Sequence, residues 1–164
     1  MIPRRSEVAA YITDTAPGGG NRLPARSWLR SDAPSLTLDG EWRFAHDWKA
    51  AAGLMFVDAT IRDGELRGNR VPQVPRHQAS AQLSWRGVGA QLRWSAIQYD
   101  DDRNELELEP YMVADVFASI PVAAALEATL AIENVFDEDV EVSATPVVSL
   151  GAPRAWRVGL RYRP

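Results

Sequence analysis

From residue 36 onward, apolar and polar side chains alternate one for one. Leu36, Leu38, Trp42 and Phe44 share one parity, against Thr37, Asp39, Glu41 and Arg43 on the other. Ala79, Ala81, Leu83 and Trp85 oppose Gln78, Ser80, Gln82 and Ser84, and Leu92, Trp94 and Ala96 oppose Gln91, Arg93 and Ser95. The pattern returns at Met112, Ala114, Val116 and Ala118, at Leu126, Ala128, Leu130 and Ile132, and at Trp156, Val158, Leu160 and Tyr162. Successive side chains of a strand leave opposite faces, so a period of two predicts strands with one apolar and one polar side. Seven are expected, at 36–45, 49–61, 77–85, 90–99, 111–120, 126–133 and 155–163. The leading residues differ. Pro3, Pro17, Pro24, Pro34 and Gly18-Gly19-Gly20 predict mostly loop. Within that arm, Val8–Ile12 reads as a short strand or a helical turn.

Connection lengths choose between the architectures that such strands can build. They run short, long, short, long: 46–48, 62–76, 86–89, 100–110, 121–125 and 134–154. Short turns at one end and long loops at the other are the layout of a membrane β-barrel, whose apolar faces meet lipid and whose polar faces line the lumen. Trp85, Tyr99, Tyr111 and Tyr162 fall at strand ends, where interfacial aromatic girdles sit. The expected fold is therefore all-β: an antiparallel up-and-down meander of about seven strands, a partial membrane-type barrel, with an irregular N-terminal arm. The long connections should gather at one end of the sheet.

Composition narrows the function classes. The chain's 164 residues suit one domain. A net charge of −4, with no dense basic stretch, argues against nucleic acid. Absence of cysteine removes disulfides and thiolate metal sites. No apolar run reaches the ~18 residues of a transmembrane helix. Met1-Ile2-Pro3-Arg4-Arg5-Ser6-Glu7 lacks the apolar core of a secretory signal, so an export signal is not expected within this sequence.

Three stretches carry a resemblance: Gly68-Asn69-Arg70-Val71-Pro72-Gln73-Val74-Pro75-Arg76-His77-Gln78, then Ile132-Glu133-Asn134-Val135-Phe136-Asp137, then Leu150-Gly151-Ala152-Pro153-Arg154 with Arg157-Val158-Gly159-Leu160-Arg161-Tyr162. Together they resemble the C-terminal end of a TonB-dependent outer-membrane receptor. Asn134, Phe136 and Asp137 match that family's "ENLFD" segment. The resemblance implies residence in the outer membrane, contact with its lipid and barrel-assembly machinery, and uptake of iron-siderophore or similar nutrients. It also implies about 22 strands, a plug and an energy-coupling peptide. Only six or seven strands are legible here and neither plug nor coupling peptide is found, so transport by these residues alone is not expected. Arg157, Gly159, Tyr162 and Pro164 occupy the spacing of the signal that ends outer-membrane barrels, with Pro164 where an aromatic, usually Phe, is implied.

An earlier segment resembles another family. Asn21-Arg22-Leu23-Pro24-Ala25-Arg26-Ser27-Trp28, Ser31-Asp32-Ala33-Pro34-Ser35-Leu36 and Leu38-Asp39-Gly40-Glu41-Trp42-Arg43-Phe44 look like the N-terminal opening of family 2 glycoside hydrolases, the β-galactosidase group. Gly40–Phe44 suits a receptor strand as well. The expected division is a hydrolase-like fragment over 1–45 and receptor barrel over 46–164. Three readings stay open: a receptor fragment, a carbohydrate-active sandwich fragment, and a chimeric chain without evolved function.

Catalytic and cofactor chemistry is thin. A retaining glycosidase needs two carboxylates about 5–5.5 Å apart, and the hydrolase family carries them on a downstream barrel, so Glu41 is expected to be an ordinary strand residue and no enzyme is expected. Asp100, Asp102 and Asn104 have the spacing of a calcium loop, but Glu105 stands where Gly is needed and Tyr111 where a bidentate Glu belongs. A solvated acidic loop is expected there, and a second at Asn134, Asp137, Glu138 and Asp139. His46 and His77 lack a metal-ligand motif, and Gly18–Gly20 is not followed by the signature of a phosphate loop. No cofactor is expected. Arg157, Arg161 and Arg163 could line a lumen and attract anions, or be solvated sheet charges.

Overall fold

The computed structural model describes residues 7–13, 31–44 and 47–162. In chain order its strands begin with β1 (Glu7–Thr13), β2 (Ser31–Asp32), β3 (Ser35–Phe44), β4 (Trp48–Val57) and β5 (Thr60–Ile61). Then come β6 (His77–Trp85), β7 (Val88–Ser95), β8 (Gln98–Tyr99), β9 (Glu107–Leu108) and β10 (Tyr111–Ala123). The last are β11 (Leu126–Glu133), β12 (Glu141–Ser143), β13 (Ser149–Leu150) and β14 (Ala155–Tyr162). Eight of them form one sheet in the order β1-β3-β4-β6-β7-β10-β11-β14, every neighbour antiparallel. The sheet is an open meander, with β1 and β14 at its edges. The pairs β2-β5, β8-β9 and β12-β13 form small ribbons within the long connections.

All seven expected strands are present, and the ambiguous arm segment is an eighth. Two expectations overran. The strand expected over 49–61 stops at Val57, where Val57 N donates to Arg76 O and Asp58 N to Pro34 O (2.9 and 3.0 Å). The strand expected over 90–99 stops at Ser95, and Gln98–Tyr99 pairs instead with Glu107–Leu108. In both cases the apolar run continues into a loop ribbon, so period alone could not mark the exit. At the other end β10 runs on through Pro121 with a register shift, leaving a tighter turn than 121–125. Strict up-and-down pairing puts 58–76, 96–110 and 134–154 at one end, and the turns after β3, β6 and β10 at the other.

The β6–β7 turn explains its own sequence. Arg86 and Gly87 have φ of 46° and 85°, the left-handed pair of a two-residue hairpin turn. A Cβ at Gly87 would stand 2.4 Å from the carbonyl oxygen of Ser119, so glycine is required there for space as well as conformation.

Register sorts the side chains into two faces. Rows such as Leu38–Leu54–Ala79–Trp94–Met112 and Trp42–Ala50–Leu83–Ala90–Val116–Ile132–Trp156 cross the sheet on one side. From β3 to β14 the residues of that parity include no Asp, Glu, Lys or Arg; His77 and Tyr162 are the polar exceptions. Among the described residues nothing packs on this face. Leu54, Met112 and Ile120 are exposed, and Trp156, Val158 and Leu160 are 66%, 82% and 72% exposed. The buried apolar residues Ala59, Ile61, Leu108 and Val113 lie instead at the long-loop end. A soluble sheet would bury its apolar side first; here the only packed core among the described residues is at the base of the loops.

Candidate functional site

Among the described residues, many of the side-chain hydrogen bonds lie at the long-loop end. The connection 96–110 lies between the other two. On one side Asn104, with φ 61°, holds the backbone of Arg70 at two points: Arg70 N donates to Oδ1 (2.7 Å) and Nδ2 donates to Arg70 O (3.1 Å). Gln73 N donates to Tyr99 O (2.7 Å), and Gln73 Nε2 to Asp100 Oδ1 (2.9 Å). On the other side Asp100 Oδ2 accepts from Ala144 N and Thr145 N, both 2.9 Å, from Thr145 Oγ1 (2.6 Å) and from Ser143 Oγ (3.3 Å). The Thr145 hydroxyl, then the Gln73 amide and the backbone N–H groups, hold this carboxyl far below the usual carboxylate range, against a smaller desolvation effect.

These contacts correct the expectation of a merely solvated acidic loop at Asp100. They also take up the calcium-like spacing, because the Asp100 carboxylate is occupied by donors from both neighbouring loops and the Asn104 side chain by the backbone of Arg70. Asp101 is spent on its own turn, accepting from the backbones of Arg103, Glu105 and Leu106.

The family-motif residues form a second knot. Asn134 is buried, with φ 51°, and leaves β11 by a left-handed step. Its Oδ1 accepts from Glu138 N (2.8 Å), and its Nδ2 donates to Glu138 O (2.8 Å) and Ala152 O (3.3 Å). Its own N–H donates to Asp115 Oδ1 (2.9 Å). Asp137, also left-handed, accepts from Arg154 N (2.8 Å). The pair therefore closes the base of 134–154. Phe136 between them is 71% exposed and takes no part.

From β3 to β14 the described residues of the polar face include Asp39, Glu41, Asp115, Glu127 and Glu133 against Arg43, Lys49, Arg93, Arg157 and Arg161, five acids to five bases. Most are paired: Arg93 with Asp115 (3.0 Å), Arg157 with Glu133 (2.9 Å), Arg161 with Glu127 (3.6 Å) and Arg43 with Glu41 (2.9 Å). Arg157 and Arg161 are thus both paired with carboxylates of the neighbouring strand β11. Beneath 134–154 the wall leaves a hollow of about 590 Å³ between Arg93, Tyr111, Asp115 and Phe117 below and Val140 and Pro153 above.

The end-of-barrel residues lie on β14. Arg157 is on the polar face, Gly159 faces Thr129, and Tyr162 is on the apolar face opposite Leu126. A Cβ at Gly159 would approach Thr129 Oγ1 to 2.8 Å. Pro164, like His46 and Arg163, lies outside the described residues. The aromatic girdle needs correction. Tyr111 is in the polar row with Ser95 and Gln78, and Tyr99 is in a loop ribbon. At the short-turn end the belt is Phe44, Trp48 and Trp85, with ring centroids 6.3 and 6.0 Å apart, and Arg86 lies over Trp85. Phe44 and Trp48 have the right parity in sequence, but only the register sets them side by side.

An up-and-down wall with a bare, uncharged apolar face, a charge-compensated polar face, and long loops at one end is that of an outer-membrane-type β-barrel protein. Residues 10–135 match the family described as TonB dependent receptor-like, beta-barrel, and the chain belongs to that family. The pesticin receptor of Yersinia pestis is 29% identical over 120 residues, 66% of this chain and 18% of that protein. The siderophore receptor PiuA of Acinetobacter baumannii has a TM-score of 0.74 at 19% identity over 80% of this chain and 22% of its own. The ferric preacinetobactin receptor BauA of the same organism has 0.73 at 18% over 96% of this chain and 26% of its own. At such identities the structural likeness is one of fold. The chain spans about a fifth to a quarter of the receptors it matches. A stretch of 36 residues is also 69% identical to the β-galactosidase of Arthrobacter sp. (strain B7), 22% of this chain and 4% of that enzyme, matching the N-terminal segment. The ferripyoverdine receptor of the outer membrane of Pseudomonas aeruginosa shares the fold too, with a TM-score of 0.67 at 18% identity over 94% of this chain and 23% of its own.

Proposed function

We propose that this chain forms one arc of the wall of an outer-membrane receptor for iron-siderophore or similar nutrients, and does not transport by itself. The observation that supports this most is the apolar face, uncharged from β3 to β14 and left exposed by the described residues. Lipid is the environment that suits it, but lipid also demands that every strand edge be paired. The sheet is open at β1 and β14, so further strands must close it. We call the closed barrel containing this arc the complete barrel. Within it Arg157, Gly159 and Tyr162 serve barrel assembly, and Asn134 and Asp137 shape the last long loop.

The test is growth of a receptor-null strain on a ferric siderophore. The complete barrel with its plug should restore growth, and the 164-residue chain should not. Rescue by the chain alone would overturn the proposal.

The β-galactosidase-like stretch favours a second reading, in which part of the chain has been transplanted. On this view 1–45 is hydrolase-derived and 46–164 receptor-derived, and β3 serves as a barrel strand whatever its origin. Its Leu36, Leu38, Trp42 and Phe44 keep barrel alternation. Glu41 sits on the open polar face, bound to Arg43.

A further inference from the structure

Loops at the mouth of a barrel can move independently or as one body. The bonds at the long-loop end bear on which. The connection 96–110 is joined to 58–76 through Asn69, Arg70, Gln73 and Asn104, and to 134–154 through Asp100 and Glu109. Most of the joints hold a backbone group by a short Asp or Asn side chain, with few rotors to release; Gln73 and Glu141 are the longer exceptions. Left-handed residues at Gln73 (φ 57°) and Asn104 place those side chains. The buried residues Ala59, Ile61 and Leu108 seat the same loops on a packed base. Low-stability, mobile loops have the opposite character, with exposed backbone bonds and few buried apolar contacts.

We propose that 58–76, 96–110 and 134–154 form one rigid rim, pinned by Asp100, so that this arc of the barrel mouth is not opened by independent loop motion. Asp100 is the pin because its two carboxylate oxygens face different loops: Oδ1 takes Gln73 and Oδ2 takes Ser143, Ala144 and Thr145. An asparagine there is isosteric. Its amide nitrogen can face Gln73 only if that side-chain amide flips to present its oxygen, and its neutral oxygen accepts more weakly than a carboxylate, so the joint to Ala144 and Thr145 is weakened.

The inference rests on the barrel reading for its setting, but its readout is separate from lipid contact and from uptake. The experiment is amide hydrogen exchange on the complete barrel in lipid, comparing wild type, Asp100→Asn, Asn104→Ala and the surface control Asp63→Asn. Heat-modifiable mobility confirms that each is folded. Asp100→Asn should speed exchange at Ala144 and Thr145 at least about tenfold. Asn104→Ala should do so at Arg70 while leaving Ala144 and Thr145 within about twofold, and Asp63→Asn should change neither. If Asp100→Asn fails to fold, Thr145→Val decides in its place. It removes the hydroxyl donor to Asp100 and should speed exchange at Ala144 several-fold. A depressed carboxyl gives stability that is present above the ordinary carboxylate range and lost only as pH falls through the lowered value. Protection at Ala144 and Thr145, relative to other protected loop amides, should therefore be flat from about pH 5 to 8. Wild-type exchange at Ala144 and Thr145 as fast as in unstructured chain would overturn the proposal. So would protection unchanged within twofold in both Asp100→Asn and Thr145→Val.

Discussion

Leu92 and Gln91 are adjacent in sequence and opposite in fate. Leu92 lies in the middle row of the apolar face, between Ala81 and Ala114, and Gln91 lies on the polar face between Gln82 and Asp115. Val88, on the same strand and face as Leu92, is in the last row beside Trp85. Four residues of strand span about 13 Å, roughly half of the ~25 Å apolar band of an outer-membrane barrel. Leu92→Arg puts a guanidinium near the midplane and should cost about 2–4 kcal/mol. Val88→Arg should cost about 0–1 kcal/mol, since its side chain can reach the headgroups. Gln91→Arg, at the same depth as Leu92 but in the lumen, should change stability by less than about 0.5 kcal/mol. The Leu92 loss corresponds to an about 30- to 700-fold fall in the folding equilibrium. The assay is reversible denaturant unfolding of the complete barrel from lipid vesicles. If Val88→Arg cost as much as Leu92→Arg, the apolar face would be packed against protein rather than graded by bilayer depth, and the reasoning would fail.

Asn134→Ala should lose about 2–4 kcal/mol in the same assay, because Glu138 and Ala152 lose their partner and alanine is poorly suited to the left-handed region. A loss below about 1 kcal/mol would show that the knot is not structural. Pro164→Phe, in a complete barrel ending at that position, should raise outer-membrane assembly, because position 164 is in phase with Tyr162 and Pro offers neither ring nor N–H donor. Equal heat-modifiable fractions for the two forms would count against that. Purified chain should not hydrolyse an aryl β-galactoside; hydrolysis abolished by Glu41→Gln would reverse this reading.

Alternation made most of the sheet legible, because a strand with one lipid and one water face writes its period directly into residue type. Leu126–Glu133 and His77–Trp85 have the expected bounds. Strand exits were less legible. Thr60–Ile61 and Gln98–Tyr99 are strands in composition but belong to loop ribbons, and that assignment depends on partners far along the chain. The candidate site was half visible. Asn134 and Asp137 stood out by resemblance, yet their role comes from left-handed geometry and contacts to Ala152 and Arg154. Asp100 looked like one more solvated acid because Thr145 and Gln73 are distant in sequence. A dense Asp/Asn cluster in a long connection was the available signal, and it could not name its partners.

The claim that matters most is that one face of this sheet meets lipid and the other water. The chain has no native cysteine, so single cysteines can be placed and spin-labelled one at a time along β10, from Met112 to Ile120, in the complete barrel in vesicles. Collision with dissolved oxygen should peak at Met112, Ala114, Val116, Ala118 and Ile120. Collision with a water-soluble nickel chelate should peak at Asp115, Phe117 and Ser119. Flat profiles, or the opposite phase, would contradict the account.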